Sequence, residues 1–263
     1  EVIRTSALGI DSRSCRLGEN VRVAPPEVTE VCEDFPDRGC AGVAHDVHNG
    51  YLFPVEHVKT GLLYHIELRL WNGGFGFRYL FQKGTRLLVK NEVSSFDVPE
   101  DFLCYYQTDL VKMQGKTVCE KAGEMPYGKD ICCMATFVVP GIYMMLTESN
   151  LYNYAGACLR KTGGGFKIHF WDSDAFFVKD CVSPWRLVIL EDSLDSLVNN
   201  DVIRASADPP SEELSKADWI KPGKACWSFF VDKPYRSEFS TIMAYNEYGT
   251  KLGFDYNIID EGW

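Results

Sequence analysis

The chain of 263 residues carries 37 acidic against 27 basic side chains, a net charge of −10, with 46% hydrophobic and 13% aromatic content. That balance argues against a general phosphate-binding surface, since nucleic-acid binders carry a basic stripe. The length allows one large domain or two ordinary ones, and the longest apolar run, Met134 to Leu146, is broken by Pro140-Gly141 and too short for a membrane span.

The chain opens EVIRTSALGI, with no initiator Met and no charged-then-apolar leader, so a secretion signal is absent or already removed. Residues 1 to 140 read mostly as strand. In Gly61 to Phe81, Tyr64, Ile66, Leu68 and Leu70 alternate with His65, Glu67 and Arg69, which is a strand with one buried face. Asn72-Gly73-Gly74 then makes a hairpin turn, because Asn and Gly accept positive φ, and Phe75, Phe77 and Tyr79 resume the alternation. Further strands are expected at Thr85 to Val98, Phe102 to Gln107, Ile131 to Val139, Gly141 to Leu146, Phe166 to Trp171 and Cys181 to Leu190. Strands punctuated by turn signals every ten or so residues point to an all-β sandwich.

The ten cysteines include no CxxC pair and no zinc-finger spacing. Cys132 and Cys133 are adjacent in a strand-like run, so they face opposite ways and do not pair with each other. Disulfides elsewhere and buried free thiols both stay open. The glycine clusters lack the phosphate-loop pattern, and Asp172-Ser-Asp174 reads as a turn, because the sixth position of a calcium loop would be Phe177 and not Gly. The five His show no HExxH spacing, and GxSxG is absent.

Glu191 to Lys216 is polar, contains Pro209-Pro210, and reads as a linker with a helical turn at Leu194 to Val198. Cys226 to Val231 is then a continuous apolar run, as expected of a strand buried on both faces. A helix follows from Ser237, with Ile242, Tyr245 and Tyr248 turned inward, and Phe254 to Ile259 forms a second buried strand. Strand, helix and strand of this kind make a βαβ unit. The expected organisation is a sandwich over 1–217, with its linker at 191–217, followed by a parallel α/β segment over 218–263. A complete (β/α)8 barrel needs on the order of 250 residues, so the segment is expected to be the truncated start of one.

Carboxylates at the C-terminal ends of parallel strands sit where α/β folds place active sites. Asp260 and Glu261 occupy such an end, with Trp263 beside them, and Asp232 follows the first strand likewise. An indole face with neighbouring carboxylates suits a sugar, and paired carboxylates are what glycoside hydrolysis uses. The alternative is that these acids are plain solvent-facing loop residues. Glu148, in LTESNLYNYAGACL, is either a turn acid or an oxygen ligand for a hard cation.

The segments SALGI, IELRLWNGGFGFRY, SSFDVPED, LTESNLYNYAGACL, SPWRLVIL, DWIKPGKACW and NIIDEGW, in this order, resemble glycoside hydrolase family 97, the α-glucosidases and α-galactosidases. The resemblance covers nearly the whole chain. It implies a mainly β architecture, a β-super-sandwich followed by the first βαβ unit of a catalytic (β/α)8 TIM barrel, with strands before SALGI missing. It implies an oligosaccharide or α-glycoside substrate, no nucleic-acid or membrane partner, and a bacterial periplasmic or secreted setting. Glu148 matches a Ca²⁺ ligand of the family, and Trp227, Asp260, Glu261 and Trp263 match segments at the barrel mouth that contact substrate. The general acid and the base or nucleophile would lie beyond Trp263, so this segment alone is expected to be inactive. The family's W-x-W-W after KPGK reads here as Trp227-Ser228-Phe229-Phe230. A rival reading is a non-catalytic carbohydrate-binding sandwich or a decayed homologue.

Overall fold

The structure, a computed structural model, describes residues 1–37, 42–112, 115–171, the backbone of 176–179, 182–229 and 237–260. The chain divides into two compact units, Glu1–Phe35 with Ala44–Asp208, and Pro36–Val43 with Pro209–Trp263.

The first unit is built on a ten-stranded sheet. Its order runs Val118–Lys121, Leu103–Tyr106, Met134–Val139, Ile142–Ser149, Trp185–Glu191, Gly74–Phe81, Leu62–Trp71, Val43–His57 and Val21–Val23, with Glu27–Pro36 also paired to Val43–His57. Two four-stranded sheets accompany it. One holds Phe176–Lys179, Arg86–Glu92, Ile10–Ser12 and Arg16–Leu17; the other holds Asp130–Cys132, Ala157–Thr162, Gly165–Phe170 and Ser95–Phe96. One hydrophobic cluster draws Tyr79, Phe137, Leu146 and Val188 from the large sheet, Ile10 and Val89 from the first small sheet, and Ile131, Leu159 and Ile168 from the second. Sheets that share a core in this way form a sandwich.

The hairpin Leu62–Trp71 to Gly74–Phe81 forms where the alternation places it, in the register Trp71↔Gly74. Its turn differs in detail. Among the three turn residues only Gly74 has positive φ, at 152°. A Cβ there would lie 2.4 Å from the Val188 carbonyl oxygen, so glycine is what lets this strand approach its neighbour.

Trp185–Glu191 is the middle strand, hydrogen-bonded to Ile142–Ser149 on one side and Gly74–Phe81 on the other. Its residues alternate between two apolar surroundings. Val188 and Leu190 face the inter-sheet core, while Trp185, Leu187 and Ile189 meet Leu197 and Val202 on the opposite face. Those last two belong to the helices Leu194–Asn199 and Val202–Ser206, so the first part of the segment read as a linker packs onto the sheet. Ser193 caps the first helix by accepting from the Ser196 amide at 3.1 Å.

In the second unit, Ala225–Trp227 and Tyr256–Ile258 pair in parallel, with the helix Phe239–Lys251 between them in sequence. This is the expected βαβ arrangement. The helix meets the first strand at Gly249, which is buried and where a Cβ would lie 2.8 Å from the Cys226 sulfur. Ile242 and Tyr245 are half-buried, but Tyr248 is 56% exposed. Steps of three lag the helix period of 3.6, so by Tyr248 the series has turned about 120° from Ile242 and Gly249 takes the inward place. The strands are not buried on both faces as the apolar runs imply: Tyr256 is 44% and Ile258 46% exposed. Among the described residues of this unit, this helix is the one that contacts both strands.

Candidate functional site

Glu148 lies near the end of Ile142–Ser149, directly opposite Arg186 across the antiparallel pair. The parity that sends Val188 into the sandwich interior sends Arg186 there too. Its guanidinium is fully buried and donates to two carboxylates. Toward Glu92, on Arg86–Glu92 of a small sheet, the contact is a fork: Nη2 to Oε1 at 2.5 Å and Nε to Oε2 at 3.2 Å. Toward Glu148, Nη1 donates to Oε2. One cation thus joins three strands from both layers of the sandwich.

The Arg186 and Glu92 side chains are 0% exposed, and that of Glu148 is 17% exposed. Burial alone would lower the Arg186 pKa, but Glu92 and then Glu148 outweigh it and hold the guanidinium well above its ordinary value. Burial also pushes the Cys133 thiol up, with the Glu148 charge adding to it. Among the described residues, Glu148 Oε1 accepts no hydrogen bond, so one oxygen at the open edge of the triad stays available.

Calcium takes six to eight oxygen ligands. Among the described residues no three His, Cys, Asp or Glu side chains converge as a metal site. Glu148 offers one carboxylate oxygen here, and the described residues do not form such a site on their own.

Trp227 ends the strand Ala225–Trp227, is half-buried, and stacks on Phe229 with ring centroids 5.1 Å apart. Asp260 follows Tyr256–Ile258 by two residues. Because these strands are parallel, with Trp227 opposite Ile258, Trp227 and Asp260 stand at the same, C-terminal, end of the pair. Glu261, Trp263 and Asp232 lie outside the described residues, as does the Asp172–Asp174 turn.

The residues that sequence reading missed are Arg186 and Glu92. A signal was present: in SPWRLVIL both alternating faces are apolar apart from one arginine, and a charge in a strand covered on both sides requires a partner.

On the other face of the same strand, two guanidinium groups lie over the Trp185 ring, with Arg78 Cζ 4.4 Å and Arg69 Cζ 4.8 Å from its centroid. Glu67 binds both, at 2.6 Å to Arg78 Nε and 2.9 Å to Arg69 Nη2.

The family model described as Glycosyl-hydrolase 97 N-terminal matches residues 1–209. A probable retaining alpha-galactosidase of Streptomyces bingchenggensis is 25% identical over 272 residues, covering 100% of this chain and 41% of its own length. The retaining alpha-galactosidase of Bacteroides thetaiotaomicron is 22% identical over 246 residues, covering 76% of this chain and 37% of its own. The chain thus spans about two fifths of these curated relatives. Among solved structures, a glycoside hydrolase family 97 enzyme from Pseudoalteromonas sp. strain K8, in complex with panose, matches with a TM-score of 0.85 at 19% identity, over 100% of this chain and 43% of that one.

Proposed function

We propose that this chain, which belongs to glycoside hydrolase family 97, is the sandwich and first barrel strands of a retaining α-galactosidase. The observation that carries this is the alignment of the entire chain, through both units, with the Streptomyces relative of that name. The tail is part of that match, and its βαβ unit supports the beginning of a (β/α)8 barrel. An α-glucoside preference is the second reading, favoured by the panose bound to a neighbour of the same fold.

Retention uses two carboxyl groups about 5–5.5 Å apart, one as nucleophile and one as acid and then base. We assign both roles to later barrel strands. Glu148 would hold a calcium ion as one of several ligands, and such an ion supplies electrostatic stabilisation when bound. Arg186 fixes one Glu148 oxygen and leaves the other for that duty. Trp227 would stack on a pyranose face while Asp260 accepts from its hydroxyls, with Glu261 and Trp263 extending the same strand end.

The test uses the full-length protein. Nitrophenyl α-galactoside should turn over faster than the α-glucoside, and proton NMR should show the α-anomer of galactose first. A β-anomer as first product would remove retention, and faster glucoside turnover would favour the second reading. Calcium should raise the unfolding temperature of the protein, and Glu148→Gln should raise the concentration needed by about tenfold, roughly 1.4 kcal/mol of binding. An unchanged calcium titration in that variant would strike Glu148 from the ligands.

A further inference from the structure

The second small sheet carries two cysteines directly opposed on neighbouring strands. Asp130–Cys132 and Ala157–Thr162 pair antiparallel in the register Asp130↔Arg160, Ile131↔Leu159, Cys132↔Cys158. Just before the first strand, the Lys161 amide donates to the Lys129 carbonyl at 2.8 Å, which makes 129/161 a hydrogen-bonded position. Such positions recur every second residue, so 130/160 and 132/158 are non-hydrogen-bonded pairs. The Cys132 amide agrees: it turns away from the partner strand and donates to Gln107 O at 2.8 Å. Residues opposed at such positions have Cα atoms about 4.5 Å apart, inside the span a disulfide bridges.

The facing is right as well. Ile131, Leu159 and Ile168 point into the core, so Cys132 and Cys158 share the other face. Both are buried there, with the Cys132 thiol donating to Asp109 O at 3.4 Å. Two residues along the same face, Arg160 grips Asp130 by two bonds of 2.7 and 2.6 Å, which pins the strands in this register. Among the described cysteines no other pair is directly opposed: Cys104 stands opposite Glu120 and Cys119 opposite Tyr105, on alternate faces of their strands.

We propose that Cys132 and Cys158 form a cross-strand disulfide when the protein folds under oxidising conditions. With glutathione disulfide as oxidant, the two thiols give up two protons and two electrons. The glutathione S–S bond breaks, each half leaves as a thiol, and the Cys132–Cys158 bond forms. Closure belongs to folding and not to the finished fold. Burial, with Asp130 adding, pushes the Cys158 thiol up to about 12, so little attacking thiolate exists once the strands are covered.

The test is peptide mapping of the full-length protein, denatured in iodoacetamide. One sample is exported to an oxidising compartment and another is refolded from urea with reduced and oxidised glutathione. A linked peptide pair joining 132 to 158 is expected in both, with two fewer alkylated cysteines than in reduced protein. The link should persist in Cys133→Ser and vanish in Cys132→Ser, which separates the adjacent thiols. Full alkylation of Cys158 in both samples, or its capture by a different cysteine, would overturn the proposal.

Discussion

Trp185 and Arg186 are neighbours on one strand and face opposite ways into two charge clusters. Inside the sandwich, one guanidinium serves two carboxylates, and Arg186 and Glu92 are wholly sealed from water. Outside, one carboxylate serves two guanidinium groups around Trp185, and Glu67, Arg69 and Arg78 keep 15%, 22% and 11% of their side chains exposed. The ion pairs are alike in kind and distance. They differ in what replaces a lost partner: nothing for Arg186 and Glu92, water for the outer groups. Solvent access, and not interaction geometry, should therefore set which cluster costs more to break.

The largest effect should come from Arg186→Ala. It strands the sealed Glu92 carboxylate in the interior, with Glu148 left unpaired at the open edge, and should cost about 3–5 kcal/mol in urea denaturation, enough to prevent folding of a marginal domain. Replacing Glu92 and Arg186 together by Leu and Met should cost far less than the sum of the single changes, because the desolvation penalty leaves with both charges. Additive losses in that cycle would mean that the inner cluster is not coupled, and the contrast with the outer face would collapse.

Much of this arrangement is readable in sequence, up to a definite point. The hairpin at Asn72-Gly73-Gly74 and the βαβ tail follow from periods of two and 3.6 and from turn residues, all of which are local. The opposite facing of Cys132 and Cys133 is local too, and the structure keeps it: Cys132 lies across from Cys158 while Cys133 sits by Glu148 and Arg186. What local pattern does not carry is the choice of partner. Glu92 is 94 residues from Arg186, and they meet only because Trp185–Glu191 crosses back into the middle of the large sheet. The helical turn expected at Leu194 to Val198 forms, but the packing of Leu197 and Val202 onto the sheet is not readable for a related reason: each lies in a helix of five or six residues, too short to show a period in a polar stretch.

On the outer face, Arg78→Ala should cost about 1 kcal/mol. It removes one bond to Glu67, an ion pair of 3.7 Å to the exposed Asp208 and one cation from the Trp185 ring, and solvent rehydrates what remains. A loss near that of Arg186→Ala would show that the outer cluster is as dry as the inner one.

Asp130 and Arg160 are the most exposed of the three groups, with side chains 26% and 33% exposed. The Arg160 hydrogen bonds hold the Asp130 carboxyl below its ordinary value, against a smaller opposing effect of burial. The folded state thus prefers the ionised form. The stability this contributes is fully present above the unfolded carboxylate pKa, about 3.9. It is lost as pH falls from there through the lowered folded value. Asp130→Asn should therefore destabilise the protein at pH 7 and make stability fall less steeply with acid below about pH 4. The loss at neutral pH should be smaller than for Arg186→Ala, since water reaches this pair. Equal acid slopes for Asp130→Asn and the parent, compared by urea denaturation at several pH values, would mean that the carboxyl titrates alike in both states, and that partial exposure already suffices to cancel the pairing.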